Sequence, residues 1–179
     1  MPITRLNHAV LFVSSVERSV AFYRDVLGFR RIDMTPEGFV GAAFLQAAGS
    51  TNDHDLGLFE MGAGSGPSGA GRSTVGLYHL AWEVDTLDEL ERLQEVLASR
   101  GALVGASDHG TTKSLYGRDP DGIEFEVAWI IPAEFLDDSA RAGRRSIRPL
   151  NISGEKQRYG ATTPGGVGIS TPARNVLGN

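Results

Sequence analysis

Hydrophobic and polar positions follow the same order twice along the chain. Apolar residues recur at helical spacing over residues 16–27 and again over residues 87–97. Each of these segments follows a short, largely apolar stretch, residues 8–13 in the first case and residues 79–84 in the second. The two stretches begin with histidines 71 residues apart, and each histidine is followed five positions later by valine. The pattern therefore predicts a strand and a helix in each of two internal repeats.

Local signals mark where each predicted helix begins and ends. Ser15 precedes the first helix, and either Asp85 or Thr86 precedes the second. These are residue types that accept a hydrogen bond from the first turn of a helix. Gly28 and Gly101 follow the two helices, where a left-handed backbone conformation favours glycine.

Three strand-like stretches follow each predicted helix. They span residues 29–34, 38–46 and 55–61 in the first repeat, and residues 102–105, 114–118 and 123–131 in the second. The Asp-Pro-Asp-Gly sequence at residues 119–122 predicts a tight turn, because proline presets φ and glycine accepts a positive φ. The sequence thus predicts an α+β fold of two tandem βαβββ modules within a domain of residues 1–131. The modules span about residues 4–61 and 74–131, joined by the Gly- and Ser-rich linker 62–73.

The sequence changes character in a C-terminal extension, residues 132–179. Residues 134–145 have the pattern of one more helix, whereas residues 151–179 are rich in Gly, Ser, Thr and Pro and predict an irregular tail. Residues 133–179 carry a net charge of +3, against −8 for the residues before them. Such a basic segment either lies across its own domain or a neighbouring subunit, or forms a loosely ordered extension.

Composition excludes several classes of function. The 179 residues are 41% hydrophobic, which is enough to bury a core in one domain. The net charge of −5 comes without a basic patch that would indicate nucleic-acid binding. The absence of cysteine excludes disulfides and thiolate metal sites, as is typical of a reducing cytoplasm. With no convincing signal peptide and no long apolar run, we expect a cytoplasmic protein without a membrane partner.

Three residues form a candidate metal site. His8 and His79 open the first strand of each repeat, and Glu126 lies near the end of the last predicted strand. Strand alternation turns Glu126 away from the apolar face that packs under the helices. A buried carboxylate is costly unless a charge such as a cation compensates it. Two imidazoles and one carboxylate form the triad that leaves coordination positions open on non-haem Fe(II), so these three are the predicted ligands.

The duplicated unit, the paired histidines and the Asp-Pro-Asp-Gly-Ile-Glu-Phe-Glu run at residues 119–126 resemble the vicinal oxygen chelate superfamily. That superfamily includes glyoxalase I, bleomycin-resistance proteins and the type I extradiol ring-cleaving dioxygenases. The resemblance covers about residues 4–131. It implies that the sheets of the two modules form a half-open barrel around a metal ion.

Two further segments resemble the extradiol dioxygenases in particular. Residues 54–59 look like the strand whose histidine is the acid–base catalyst beside the iron, which implies that role for His54. His109 and Tyr116 look like the histidine that contacts the substrate and the tyrosine near a catecholate oxygen. A histidine suits proton transfer near neutral pH. The resemblance implies a small aromatic diol and O2 as substrates, and Fe(II) as the metal, with Mn(II), Zn(II) or Ni(II) as alternatives. It leaves open whether the chain is a monomer or a homodimer.

Two other functions fit the same fold. A glyoxalase-type lyase or isomerase usually has a fourth ligand, a carboxylate related to Glu126 by the internal symmetry. A shift of about 72 residues leads from Glu126 to His54, which is therefore an alternative fourth ligand. A small-molecule binding protein of the bleomycin-resistance kind needs no catalytic metal. Ring-cleaving enzymes commonly have four such modules, so this chain corresponds to a catalytic half alone.

Overall fold

The computed structural model describes residues 2–3, 5–34, 37, 40–70 and 73–166. The chain divides into two compact units, one formed by Met1–Gly76 with Asp119–Ile123, the other by Leu77–Arg118 with Glu124–Asn179. None of the helices in the described ranges has the length and apolar character needed to cross a lipid bilayer.

The first unit is a four-stranded sheet with one helix. Its elements are β1 (Ala9–Val13), α1 (Val16–Leu27), β2 (Arg30–Ile32), β3 (Ala42–Gln46) and β4 (Leu56–Glu60), in the sheet order β1-β4-β3-β2. β1 and β4 run parallel, and the other pairs are antiparallel. Ser15 accepts a hydrogen bond from the backbone of Arg18, and Gly28 ends α1 with φ 73°. Both predicted boundaries of this helix are confirmed.

The sheet of the first unit has two different faces. One face is buried at its centre, where Leu45, Leu56 and Leu58 are 0% exposed, and Val20 and Tyr23 of α1 are buried as well. The opposite face carries Val10, Gly57 and Phe44 in one row across three strands, and Phe12 and Phe59 in the next. Phe12 is 70% exposed and Val10 is half exposed. Apolar side chains therefore also cover the face of the sheet that α1 does not cover.

The second unit repeats this order and extends it. Its elements are β5 (His79–Glu83), α2 (Leu87–Ser99), β6 (Leu103–Asp108), β7 (Thr112–Arg118) and β8 (Glu124–Ile130), followed by α3 (Asp138–Gly143), β9 (Arg148–Pro149) and α4 (Ile152–Tyr159). The sheet order is β5-β8-β7-β6-β9, with β5 parallel to β8. Thr86 caps α2, and Gly101 follows it with φ 65°. The prediction of two βαβββ repeats is confirmed.

The predicted turn after β7 is formed by side-chain and backbone hydrogen bonds together. Asp119 Oδ1 accepts hydrogen bonds from the backbone of Asp121 and Ile123. Gly122 has φ 79°, and its N–H donates to the carbonyl of Asp119. The Tyr23 hydroxyl donates to Asp119 Oδ2 at 3.2 Å, and burial raises the pKa of the Asp119 carboxyl. The turn therefore packs on α1 through a buried acid.

The C-terminal extension differs from its prediction. The helix expected over residues 134–145 is limited to a 3-10 turn at Ala133–Phe135 and the short α3, whereas α4 forms in residues expected to be irregular. Asn151 caps α4, and Lys156 pairs with carboxylates of α2 at 2.6 Å. Tyr159 packs on Trp129 with ring centroids 5.6 Å apart. A short helix gains most of its stability from such packing, which periodicity does not reveal. Residues 167–179 of the predicted tail lie outside the described residues.

Candidate functional site

The second unit brings two predicted ligands together. His79 is the first residue of β5, and Glu126 lies in β8 opposite Ala81. His79 itself lies opposite Glu124, so His79 and Glu126 share one face of the sheet. His79 Nε2 is 3.1 Å from Glu126 Oε2, and the two side chains are 25% and 14% exposed. Neighbouring parallel strands thus hold an imidazole and a carboxylate side by side.

The donor atoms of this pair fit a divalent cation. Imidazole nitrogen and carboxylate oxygen bind such ions at about 2.1 Å, so two ligands at a right angle lie about 3.0 Å apart. The separation of His79 Nε2 and Glu126 Oε2 agrees with that spacing. His79 Nδ1 is buried and has no hydrogen-bond partner within the part of the chain that the structure describes. The pair therefore offers two of the three ligands that the sequence predicts.

Tyr116 and His109 lie beside this pair. Tyr116 is directly opposite Glu126 in the β7–β8 pairing, and its ring centroid is 5.8 Å from that of His79. The Tyr116 hydroxyl and His109 Nε2 share a hydrogen bond of 2.8 Å. Burial and the negative charge of Glu126 raise the pKa of Tyr116, so its hydroxyl keeps its proton at neutral pH. The structure brings all four predicted residues of the second unit into one connected group.

The first unit brings the remaining two predicted residues together. The rings of His8 and His54 have centroids 4.4 Å apart and are tilted by 37°. His8 Nδ1 is 2.7 Å from Asn7 Oδ1. An amide oxygen only accepts hydrogen bonds, so His8 Nδ1 is the donor in this contact. A ligand histidine is usually oriented by such a hydrogen bond from its other nitrogen.

Two acidic residues that the sequence did not single out lie on either side of His54 in the chain. Asp53 Oδ1 accepts a hydrogen bond from the backbone of His54 at 2.8 Å and lies 3.0 Å from its Nδ1. The backbone hydrogen bond from His54 lowers the pKa of Asp53. Asp55 is buried and accepts hydrogen bonds from Ala47 and Ser50, which close the loop before β4. The signal for this role was the run of acids and amides around His54, residue types that bond to nearby backbone.

The strand register corrects the assignment of His54 as the residue of the first repeat that corresponds to Glu126. Glu126 lies opposite Ala81, which is two residues after the histidine of its repeat. The equivalent residue of the first repeat is Val10, and Val10 lies opposite Gly57. The position that a shift of 72 residues assigned to His54 therefore belongs to Gly57. The repeats differ in loop length, so a constant shift does not follow the pairing.

Gly57 offers no side chain for a metal ion. A Cβ built there would lie 3.3 Å from Val10 Cγ2 and 3.6 Å from ring carbons of Phe44 and Phe59. The first repeat thus holds a histidine pair and the second a histidine–glutamate pair. Among the residues described, neither pair belongs to a cluster of three or more potential ligands. The set of His8, His79 and Glu126 stays a prediction.

Comparison with known proteins identifies the family to which this chain is similar. Residues 5–127 match the family model described as the Glyoxalase/Bleomycin resistance protein/Dioxygenase superfamily. The catechol-2,3-dioxygenase of Bacillus subtilis (strain 168) is 33% identical over 131 residues, covering 69% of this chain and 41% of that protein. This chain therefore spans less than half the length of that relative.

Two further proteins are similar to the chain over most of their own length. A lactoylglutathione lyase of Neisseria meningitidis serogroup B is 33% identical over 136 residues, covering 68% of this chain and 88% of the lyase. The structure of a glyoxylase/bleomycin resistance protein/dioxygenase domain from Frankia sp. EAN1pec has a TM-score of 0.58. It is 24% identical and covers 71% of this chain and 92% of its own, which shows the common fold.

Proposed function

Because the chain belongs to the glyoxalase/bleomycin resistance protein/dioxygenase superfamily, we propose that it is a metal-dependent extradiol-type dioxygenase. Its substrates in this proposal are a small catecholic aromatic and O2. One observation carries the choice of reaction: Gly57 stands where the internal symmetry would require the second carboxylate of a glyoxalase-type site. Three protein ligands leave more open positions than four, and ring cleavage needs room for both the diol and O2.

The proposed ligands are His8, His79 and Glu126. The separation of 3.1 Å between His79 and Glu126 supports two of them. The hydrogen bond of His8 Nδ1 to Asn7 supports the third, because it orients the ring through the nitrogen that is not proposed to bind the metal. When bound, Fe(II), or Mn(II) as the next choice, supplies Lewis acidity and open coordination positions.

In this proposal His54 is the acid–base residue that accepts a proton from the catechol. A catechol must lose protons to bind as a chelate, and an imidazole is the side chain best suited to accept one near neutral pH. Asp53 supports the role, because it places a carboxylate 3.0 Å from Nδ1 of His54.

Tyr116 and His109 orient the substrate oxygens in the same scheme. Because its pKa is raised, the Tyr116 hydroxyl remains a hydrogen-bond donor at neutral pH. The hydrogen bond between Tyr116 and His109 couples the two side chains, so each limits the orientation of the other. The half-buried setting of both excludes part of the bulk water from the reacting group.

The deciding experiment is anaerobic reconstitution followed by an oxygen-uptake screen. Protein freed of metal is loaded with Fe(II) or Mn(II), mixed with a panel of catechols without air, and then exposed to oxygen. Oxygen consumption with formation of a coloured ring-opened product supports the proposal. No oxygen uptake with any catechol, at full metal content, contradicts it.

A glyoxalase-type lyase is the second candidate, and one observation favours it. The chain covers 88% of the lactoylglutathione lyase but only 41% of the catechol dioxygenase. In that reading His54, whose ring lies 4.4 Å from that of His8, would be the fourth ligand. The lyase function would be supported if the Zn(II) or Ni(II) protein converts a thiol–oxoaldehyde adduct and the Fe(II) protein takes up no oxygen. If the protein retains no metal, a role as a small-molecule binding protein would be supported instead.

A further inference from the structure

The hairpin between β6 and β7, which carries His109, is held by the C-terminal segment, residues 132–166. Strand β9 of that segment pairs with the end of β6, where Arg148 lies opposite Asp108. Helix α3 packs on the hairpin turn itself. A Cβ built on Gly143 would lie 2.8 Å from Gly110 Cα, and a Cβ on Gly110 would lie 2.5 Å from backbone atoms of α3. Two glycines therefore allow backbone to touch backbone next to His109.

Asp108 joins the hairpin to this segment through a buried carboxylate. Its Oδ1 accepts hydrogen bonds from the Gly110 N–H at 2.7 Å and from Lys113 Nζ at 2.6 Å. Its Oδ2 accepts a hydrogen bond from Arg148 Nη2 at 2.8 Å. Burial alone would raise the pKa of Asp108, but the hydrogen bonds from Lys113 and Gly110 outweigh it and lower the pKa. The carboxylate is thus ionised and fixed from three directions.

These contacts fix both chain neighbours of His109. Asp108 is held by the two cations, and Gly110 is held by Asp108 and by α3, with φ 80°. Between them His109 hydrogen-bonds back through its own N–H to the carbonyl of Thr112 and through Nε2 to Tyr116. A buried ion pair is often no more stabilising than apolar residues of the same size. The specific effect of the Asp108 ion pairs is to set the direction in which the His109 side chain points from the turn.

We propose that Asp108 and Arg148 are positioning residues for His109, so that the C-terminal segment helps to build the substrate side of the site. The segment lies beyond residues 5–127, the part of the chain that the superfamily model matches. The proposal rests on the proposed function for its effect on turnover, because it takes His109 as the residue that orients the substrate. Its effect on the His109 side chain is independent of that function.

The test compares Arg148→Met with Lys156→Met and Arg148→Lys. Each methionine variant removes one cation of the C-terminal segment, but Lys156 pairs with Asp88 and Glu91 of α2, away from the hairpin. The Arg148 side chain is 48% exposed, so its replacement leaves the core intact, which circular dichroism checks. KM and kcat are measured on the Fe(II) protein with a catechol. The imidazole signals are followed by NMR in ¹⁵N-histidine-labelled protein and assigned with His109→Gln.

Arg148→Met is expected to shift the His109 signals and to raise KM more than it lowers kcat. A misplaced substrate-orienting group lowers kcat/KM by about 10- to 100-fold. Arg148→Lys should partly restore both the parent His109 signals and the parent KM, because a lysine ammonium can still donate one hydrogen bond to Asp108 Oδ2. Lys156→Met should change neither readout. Unchanged His109 signals in Arg148→Met, or equal changes in Lys156→Met, would overturn the proposal. If the parent protein cleaves no catechol, the proposed function fails, and the His109 signals still decide the positioning.

Discussion

Glu126 and Gly57 occupy matching positions in the two repeats, each opposite the residue that lies two places after the repeated histidine. One repeat therefore offers a carboxylate where the other offers a bare backbone. The duplication does not make the two halves chemically alike. In the proposed site, the second repeat would supply the acidic ligand, whereas the first would supply two imidazoles, one to bind the cation and one to transfer protons. This difference between the repeats underlies the first two of the four predictions that follow, and the other two concern stability.

Replacing Glu126 should remove the cation. Glu126→Gln keeps the size of the side chain but loses the charge beside His79, so we expect Mn(II) affinity to fall by more than about 100-fold, since even an outer hydrogen-bond partner of a ligand contributes about 10- to 100-fold. Calorimetric titration with Mn(II) measures it. The matched control is Glu124→Gln, on the same face of β8 and paired with Arg118. Equal affinities of the two variants would contradict the ligand assignment.

Replacing His54 should separate catalysis from metal binding. His54→Ala is expected to keep the metal and to lose about 10²- to 10⁴-fold in turnover, the usual contribution of a general acid–base. Asp53→Asn should have a smaller effect in the same direction, because it removes the charge 3.0 Å from Nδ1. Metal content and oxygen uptake are measured on each variant. Loss of the metal from His54→Ala would instead identify His54 as a fourth ligand.

Asp121, in the turn after β7, forms a salt bridge with Arg18 of α1, and this pair predicts a change of stability at acid pH. Burial alone would raise the pKa of Asp121, but hydrogen bonds from Ser14 and the charge of Arg18 lower it. A lowered pKa in the folded state gives stability that is present above the unfolded pKa of about 3.9 and is lost as the pH falls through the folded pKa. Asp121→Asn should cost about 1–3 kcal/mol at pH 7 and reduce the loss of stability below about pH 4.

Urea unfolding of Asp121→Asn and of the parent protein between pH 7 and pH 2.5 measures this difference. The control is Asp33→Asn, an exposed acidic residue of the same unit. A parallel pH dependence for Asp121→Asn and the parent protein would show that the Asp121 contacts do not stabilise the folded state.

The packing of Tyr159 on Trp129 predicts how much α4 contributes to the free energy of unfolding. Tyr159 is 5% exposed, so Tyr159→Ala should lower the free energy of unfolding by about 3–5 kcal/mol, as for other large aromatic residues. Its hydroxyl is buried without a hydrogen-bond partner in the described part of the chain. Tyr159→Phe should therefore change stability by less than about 0.5 kcal/mol. Urea unfolding followed by tryptophan fluorescence checks both, and a similar loss in the two variants would show that the hydroxyl matters more than the ring.

The sequence predicted those features that depend on short-range signals. Ser15 and Gly28 define α1 because capping involves residues within one turn of the helix. The common face of His79 and Glu126 follows from strand alternation once both strands are recognised. The repeat itself was visible because its histidines stand in similar surroundings.

Features that depend on distant pairing were not predictable in this way. The correspondence of Glu126 with Gly57 depends on strand register, which the different loop lengths of the two repeats conceal. Asp108 and Arg148 are 40 residues apart, and nothing in the local sequence of either indicates the other. Helix α4 has only Ile152 and Tyr159 as buried residues, too few to give a periodic pattern.

The burial of Lys113 bears on how the protein can be produced in shortened form. Its side chain is 1% exposed, and its ammonium group lies between Asp108 and Glu155 of α4. An expression boundary at residue 131, placed where the likeness to the superfamily ends, would delete Glu155 and uncover both this cation and the indole of Trp129. A buried cation that has lost one of its two carboxylate partners and an uncovered aromatic surface both favour aggregation. Fragments for crystallisation or library screening should accordingly extend to at least residue 166.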